Sequence, residues 1–598
     1  MPSSRKQAPA AIHYRVEPAD LFAHLFSVTL TIAQPATRQE VSLPVWIPGS
    51  YLVREFSKNL QELCAQQGNR EVPLTQLDKH RWLADCGAGK PLVLTYRVCA
   101  YDASVRTAWL DAARGFFNGT SLCLRVHGQE KQRHTIEIVS TPATAAWSVA
   151  TGLSTVKVDK KGFGLYAAAS YDELVDCPFE MGKFWIGRFT ACGVPHRFVV
   201  AGAAPSFDGK RLLADTQKIC EANIRFWHGE GKPPFKNYLF MLNAVGDGYG
   251  GLEHRNSTAL ICGRRDLPRV NEARAGEGYT TLLGLISHEY FHTWNVKRLR
   301  PAEFAEHDYA RENYTELLWF FEGFTSYYDD LLLRRAGLID DGTYLKLVTK
   351  TIHQVVQTPG RAIQTVAQAS FDAWVKYYRQ DENTPNATVS YYTKGSLVAL
   401  CLDLALRRGG KTSLDAVMRA LWARCEGGPM SEGDLRAVLQ ELSGRSFDTE
   451  LAQWVHSTAE LPLAELLGAH GVQLKPETAQ WAQKLGLRVT ETHSVNLKTV
   501  LRGGLAESAG MAAGDEWLGI EVNGEGWRIS KLEDVAFYAG TETTVTALVA
   551  RDGRLLRLPL SLSRSAKPSR GTIAPAAAVP DTVSLSITDA AAVARWLN

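Results

Sequence analysis

A chain of 598 residues with 45% hydrophobic and 22% charged side chains has the composition of an ordinary globular protein, with room for roughly four domains of about 150 residues. Lys and Arg number 66 against 63 Asp and Glu, so no net field argues for a nucleic-acid partner or an anionic membrane surface. No apolar run reaches the ~18 residues that a membrane span needs, and ten scattered cysteines without a C-x-x-C pair read as reduced thiols.

Residues 1–11 carry basic side chains but no apolar stretch of the secretory kind, so a flexible N-terminus and a cytoplasmic location are expected. Residues 12–178 alternate with period two. In "FSVTLTI", Phe26, Val28, Leu30 and Ile32 fall on one face, and "LVLTYRV" and "HTIEIV" behave alike. Gly, Pro, Asp and Asn punctuate these runs, which predicts an N-terminal β domain. "LPVWIPGSYLVREFSKN" (43–59) breaks the alternation and reads as a long connection packed on a neighbouring domain.

Helical patterns dominate next. The spacing predicts a domain over 179–345 and a helical domain over 346–466. "TTLLGLISHEYFHTWNV" is long and apolar enough for a buried helix. "ENYTELLWFFEGFTSYYDDLLLRRAG" predicts a core helix, with Asn313 and Glu316 spaced as a capping box and Gly337 at the C-terminal cap. Short strands return over 467–565. Residues 566–598, rich in Pro, Ala and Ser, read as a loosely held C-terminal extension. There is no internal repeat.

The chemistry concentrates in "SHEYFHTWN". Residues four apart share a helix face, so His288 and His292 can aim their imidazoles at one ion. Glu289 falls beside that ion, where a carboxylate can take a proton from an attacking water. The alternative is a core helix with two satisfied histidines. A catalytic zinc takes three protein ligands and keeps an open position. Glu322, in "LWFFEGFTSYY", is the next candidate, because a carboxylate in an apolar, aromatic helix needs a cation. A buried Arg would also serve.

"HEYFH" followed by "WFFEGFTSYY" resembles the gluzincin peptidases, most closely the glycyl aminopeptidase family with its C-terminal PDZ domain, and more distantly aminopeptidase N. The gap between His292 and Glu322 is longer than in aminopeptidase N and is similar to the insertion of the glycyl group, "HTWNVKRLRPAEF" included. The resemblance implies one zinc per chain on His288, His292 and Glu322. In "YYTKGSLVALCLDL", Tyr392 to Gly395 match Y-x-K-G, which implies Tyr392 as the hydrogen-bond donor to the oxyanion. On packing alone Tyr392 is a residue at a helix start, and the role of Tyr391 is open. In "GYGGLEHRNST", Glu253 matches the glutamate that holds the substrate's α-amino group, which implies Gly250 and Gly251 as substrate-binding residues beside it. His254 replaces an Asn of the relatives and its role is open; the stretch is otherwise a glycine-rich hairpin with a solvated Glu.

"LGLRV" (485–489) and "TVLRGGLAESAGMAAGDEWLGIEVNG" (499–524) resemble a PDZ domain of the bacterial protease type. That implies peptide C-termini as partners, captured at the "LGL" loop, unless the module serves only for packing. The implied fold class is multidomain α+β: an N-terminal β domain, a thermolysin-like zinc-peptidase catalytic domain with a helical C-terminal part that completes the active site, and a PDZ-like domain. The implied activity is a zinc metallo-aminopeptidase on peptides with small N-terminal residues such as Gly and Ala. A zinc endopeptidase on the same site, or a peptide-binding scaffold with a vestigial metal site, stays open, as does the oligomeric state. No nucleic-acid or membrane partner is expected.

Overall fold

The computed structural model describes residues 11–272, 275–563 and 582–598. Its backbone divides into two compact units. One takes the chain up to Asn313 with Arg335–Leu338 and Cys425–Met430; the other takes Tyr314–Arg334, Ile339–Arg424 and Ser431–Asn598.

The first unit opens on the period-two segments. Strands β1 (Ile12–Asp20), β2 (Leu25–Ile32), β3 (Leu92–Cys99) and β4 (His134–Ile138) lie in the order β4-β1-β2-β3 within an eight-stranded sheet. Strand β1 is antiparallel to β2 and parallel to β4. Phe26, Val28, Leu30 and Ile32 are fully buried, while Ser27, Thr29 and Thr31 between them keep partial exposure. That is the face the alternation predicts. The 43–59 stretch forms no regular strand. Its Trp46 is buried and donates its indole N–H to the Asp308 carbonyl at 2.7 Å, and the Val45 N–H bonds the Tyr309 carbonyl at 2.9 Å.

A second sheet of the same unit holds β5 (Trp185–Ala191), β6 (Val194–Ala201), β7 (Tyr238–Val245), β8 (Tyr249–Glu253) and β9 (Ser257–Gly263), in the order β5-β6-β7-β9-β8. Parallel β6, β7 and β9 form its centre. Leu239, Phe240, Met241 and Leu242 are buried in succession, as a strand covered on both faces requires. Strand β8 is the edge, antiparallel to β9. Helices α1 (Gly209–His228) and α2 (Glu277–Phe291) complete this part. The predicted buried helix is thus α2, and it ends at Phe291, where Thr293 and Trp294 fold back in tight turns onto Tyr290 and Phe291.

In the second unit the expected core helix is present as α3 (Leu318–Phe321) and α4 (Gly323–Arg335). The capping box is not. Asn313 closes a loop instead: its amide nitrogen donates to the Asp308 and Arg311 carbonyls and its oxygen accepts the Asp308 N–H. With its capping capacity used there, the helix starts at Leu318. Gly337 has φ +69°, the left-handed cap that the sequence predicts. Helices α5 (Asp341–Val356) and α6 (Thr393–Arg408) follow.

Strand β10 (Val472–Pro476) leads into a sheet of β11 (Leu487–Glu491), β12 (Val495–Val500), β13 (Glu516–Val522), β14 (Thr544–Arg551) and β15 (Arg554–Ser561), with Glu525–Arg528 paired to β13. Trp517, Ile520, Ala547 and Val549 fill its own core. The C-terminal expectation needs correction. Part of the supposed extension, 566–581, lies outside the described residues, but β16 (Val583–Ile587) pairs antiparallel with β10 and is followed by α7 (Ala590–Leu597). Asp589 caps α7 by accepting the Ala591 and Ala592 N–H groups, and Trp596 and Leu597 are fully buried. Composition conceals "AAAVARWL", a good helix former with one apolar stripe. Among the described residues no helix is long and apolar enough to cross a membrane.

Candidate active site

The H-E-x-x-H pattern spans the last turn of α2. His288 and His292 bring their Nε2 atoms to 3.0 Å, with the rings nearly perpendicular at 88°. His292 Nδ1 lies 2.8 Å from the Asn295 carbonyl oxygen. A carbonyl only accepts, so Nδ1 carries the proton and Nε2 keeps its lone pair for an ion. The turn after α2 therefore serves the site: "HTWN" places the orienting carbonyl three residues beyond the imidazole. Among the described residues, the ligand atoms of His288, His292 and Glu322 lie within 4.8 Å of one another and form the group able to hold a metal ion. Two imidazoles and a carboxylate are the donor set of a catalytic zinc with an open position.

Edge strand β8 brings in the glycine-rich stretch. Glu289 is buried at 5% exposure. A side chain at Gly251 would place its Cβ 2.1 Å from Glu289 Oε1, so only glycine lets the strand run against that carboxylate. Gly250, at φ +152°, sets the strand's course, and the Arg106 guanidinium donates to the Gly251 carbonyl at 3.0 Å. Glu253 is buried at 4% exposure, and among the described residues its Oε1 has no hydrogen-bond partner. It lines a cleft with Trp46, Gly49, Tyr51 and His254. The bland alternative of a solvated Glu in a hairpin does not describe it.

His254 faces Asp176, its Nδ1 3.4 Å from Oδ1, and Lys297 Nζ lies 2.7 Å from the same oxygen. Burial alone would raise the Asp176 carboxyl, but Lys297 and His254 outweigh it and hold the group far below the ordinary carboxylate range. His254 thus belongs to an ion cluster in the wall of the cleft.

In the second unit Glu322 sits at the junction of α3 and α4, buried at 2% exposure. A Cβ on Gly323 would fall 2.5 Å from the Gly395 backbone, and one on Gly395 would fall 2.5 Å from the Trp319 carbonyl. The two helix starts therefore cross backbone to backbone. Helix α4 begins one residue after Glu322 and α6 one residue after Tyr392. The Tyr392 phenol is pushed well above its ordinary value, first by burial and then by the Glu322 carboxylate, so it remains a hydrogen-bond donor at neutral pH. Tyr391 is fully buried, its ring 4.8 Å from that of Tyr392, and the hydroxyls of Tyr378 and Tyr392 lie 3.4 Å apart.

Sequence reasoning does not single out Asn295, Gly49, Arg106, Tyr378 or the Gly323–Gly395 crossing. The usable signals were a glycine directly after Glu322, another three residues after Tyr392, and a second tyrosine doublet, "KYYRQ".

Comparison with curated proteins finds no match. Among solved structures, an M1 zinc metallopeptidase from Deinococcus radiodurans is 15% identical over 76% of this chain and 94% of its own, with TM-score 0.47. A mutant of that enzyme bound to a Tyr-Ser-Ala substrate is 14% identical over 75% and 94%, also at 0.47. An aminopeptidase N family protein from Idiomarina loihiensis is 36% identical and covers 98% of this chain and 100% of its own, with TM-score 0.91. The family model of the M61 glycyl aminopeptidase matches residues 281–398, and that of the peptidase M61 N-terminal domain matches residues 13–183. With a full-length relative at that identity and both models matched, the chain belongs to the M61 glycyl aminopeptidase family of peptidases.

Proposed function

We propose that this peptidase is a zinc-dependent aminopeptidase that removes small N-terminal residues, Gly and Ala, from peptides. His288, His292 and Glu322 hold one zinc per chain. Bound zinc supplies a Lewis acid that polarises the scissile carbonyl and makes water a nucleophile at neutral pH. Glu289, pressed against Gly251, takes a proton from the attacking water and passes it to the leaving amine. Tyr392 donates to the developing oxyanion, a contribution of roughly 3 kcal/mol for such a donor. Glu253 pairs with the substrate's α-ammonium beside the Gly250–Gly251 strand and fixes which peptide bond is presented.

The observation that carries the aminopeptidase reading is Glu253 Oε1, buried and, among the described residues, without a hydrogen-bond partner. A carboxylate oxygen left so is costly, and an arriving ammonium completes it. The preference for small residues is supported by the family. We also propose the division into an N-terminal β domain (12–178), a thermolysin-like domain (179–345), a helical domain (346–466) and a PDZ-like module (467–565). The last reading is supported by β11 being an edge strand, where such modules add a peptide strand and capture its C-terminus. The module is also anchored: the Asn386 side chain donates to the Val500 carbonyl and accepts the Arg502 N–H, both at 2.9 Å. Ten free thiols support a cytoplasmic location.

The test is a panel of aminoacyl arylamides and N-blocked peptides, assayed with and without a chelator, alongside elemental analysis. One zinc per chain and turnover that is lost on chelation and regained with zinc are expected. Turnover indifferent to the chelator, or a reconstituted protein without zinc, would overturn the reading.

A further inference from the structure

Glu253 is met by the "WIPGSY" segment, far away in sequence. Ile47 to Ser50 form a β-turn in which the Ser50 N–H donates to the Ile47 carbonyl at 3.0 Å, with Pro48 and Gly49 at its centre. Gly49 has φ +95°, the left-handed side that the third residue of a type II turn requires. The turn is pinned by Trp46, bonded to Asp308, and by the Arg54 N–H, which donates to the Val45 carbonyl at 2.7 Å. A Cβ on Gly49 would lie 2.5 Å from Glu253 Oε1 and 2.7 Å from both Oε2 and Cδ, where ordinary contact begins at 3.4 Å. The carboxylate thus rests its whole end on the bare face of one glycine. Arg106, also from the N-terminal region, holds the strand carrying Glu253 by donating to the Gly251 carbonyl.

We propose that Gly49 is a positioning residue for Glu253, and that the N-terminal β region thereby builds the back wall of the amine subsite. The inference rests on the reading of Glu253 as the amine anchor. Two things follow from the missing side chain. The carboxylate can sit deeper than a side chain at position 49 would allow, and its depth sets where the ammonium stops and hence where the first peptide bond lies. Replacing Gly49 with Ala forces the carboxylate forward by most of an ångström. A displacement of about 1 Å in a positioning group can cost on the order of 100-fold in rate.

The experiment is a double-mutant cycle on the full chain: wild type, Gly49→Ala, Glu253→Ala and the pair, with kcat/KM for matched free-amine and N-acetylated peptides. Gly49→Ala should lower kcat/KM for the free-amine peptide roughly 10- to 100-fold, leave the acetylated peptide unchanged, and have almost no further effect once Glu253 is Ala. An equal loss in both backgrounds would mean that Gly49 serves only its turn, and would overturn the proposal. Melting temperature gives a readout independent of activity. Turn strain is common to both backgrounds, so the drop caused by Gly49→Ala should be smaller when Glu253 is Ala and the methyl has room; equal drops would overturn the proposal as well. Gly128→Ala, at φ +82° with nothing within 4 Å, controls for backbone strain alone. If Glu253→Ala leaves the free-to-acetylated ratio unchanged, the amine-anchor reading fails, while the melting cycle still reports on the contact.

Discussion

Trp596→Ala removes the residue that closes the helical core from the C-terminal end. The indole is fully buried. It packs edge-on to Tyr344 at 6.0 Å between ring centres, and its Nε1–H points at the Tyr327 hydroxyl, 3.4 Å away. Tyr327 in turn donates to Asp403 Oδ2 at 2.8 Å, so the substitution leaves no buried donor orphaned and the cost is burial plus cavity. About 200 Å² of apolar surface at 25 cal/mol/Å² gives roughly 5 kcal/mol, and measured Trp→Ala changes in cores run about 3–5 kcal/mol. Tyr327 lies on α4 and Asp403 on α6, the helices that begin beside Glu322 and Tyr392, so the loss is also expected to loosen the site. Urea unfolding, with hydrogen exchange mapped on α4 and α6, measures both. A change below about 0.5 kcal/mol, the range of surface positions, would refute the assignment of the C-terminal helix to the core.

Glu289→Gln should retain zinc and lose nearly all turnover, since an amide cannot accept the proton; metal analysis beside kinetics checks it. Glu322→Ala should strongly weaken zinc binding, because two imidazoles leave the ion under-coordinated, as competition with a chromogenic chelator would show. Tyr392→Phe should lower kcat more than it raises KM; the same pattern in Tyr391→Phe but not Tyr392→Phe would transfer the oxyanion role. Burial holds His196 down to about 4 against the pull of its hydrogen bond to the Val194 carbonyl. Its folded value lies below the ordinary 6.5, so the unfolded chain takes up the proton first as pH falls. That stability is complete above pH 6.5 and is lost towards pH 4, about 3 kcal/mol in all; His196→Phe should flatten that part of a stability–pH profile.

The three residues that come together as a candidate metal site were legible because their information is local: four-residue spacing on one helix, and a lone carboxylate in an apolar one. The β-strand faces were legible for the same reason, with Phe26 to Ile32 buried as their alternation dictates. The contacts that position the carboxylates were not. Gly49 meets Glu253 and Gly323 meets Gly395 across long stretches of chain, and a glycine that makes room looks in sequence like one that merely turns. The capping box at Asn313 failed through competition, because the same side chain bonds the backbone of Asp308 and Arg311. The C-terminal helix was missed because composition averages over a window, whereas the burial of Trp596 is decided by a single residue and the strand pair that delivers it.

The reaction class is decided by kcat/KM for matched free-amine and N-acetylated peptides on wild type and Glu253→Gln. An acetylated substrate carries no cation and leaves a buried carboxylate unpaired, whereas the free ammonium makes a charge-assisted hydrogen bond that fixes register as well as affinity. Wild type should strongly favour the free amine, and Glu253→Gln should lower its cleavage and narrow that advantage. Equal cleavage of the two peptides by the wild-type enzyme would contradict this and make the protein an endopeptidase.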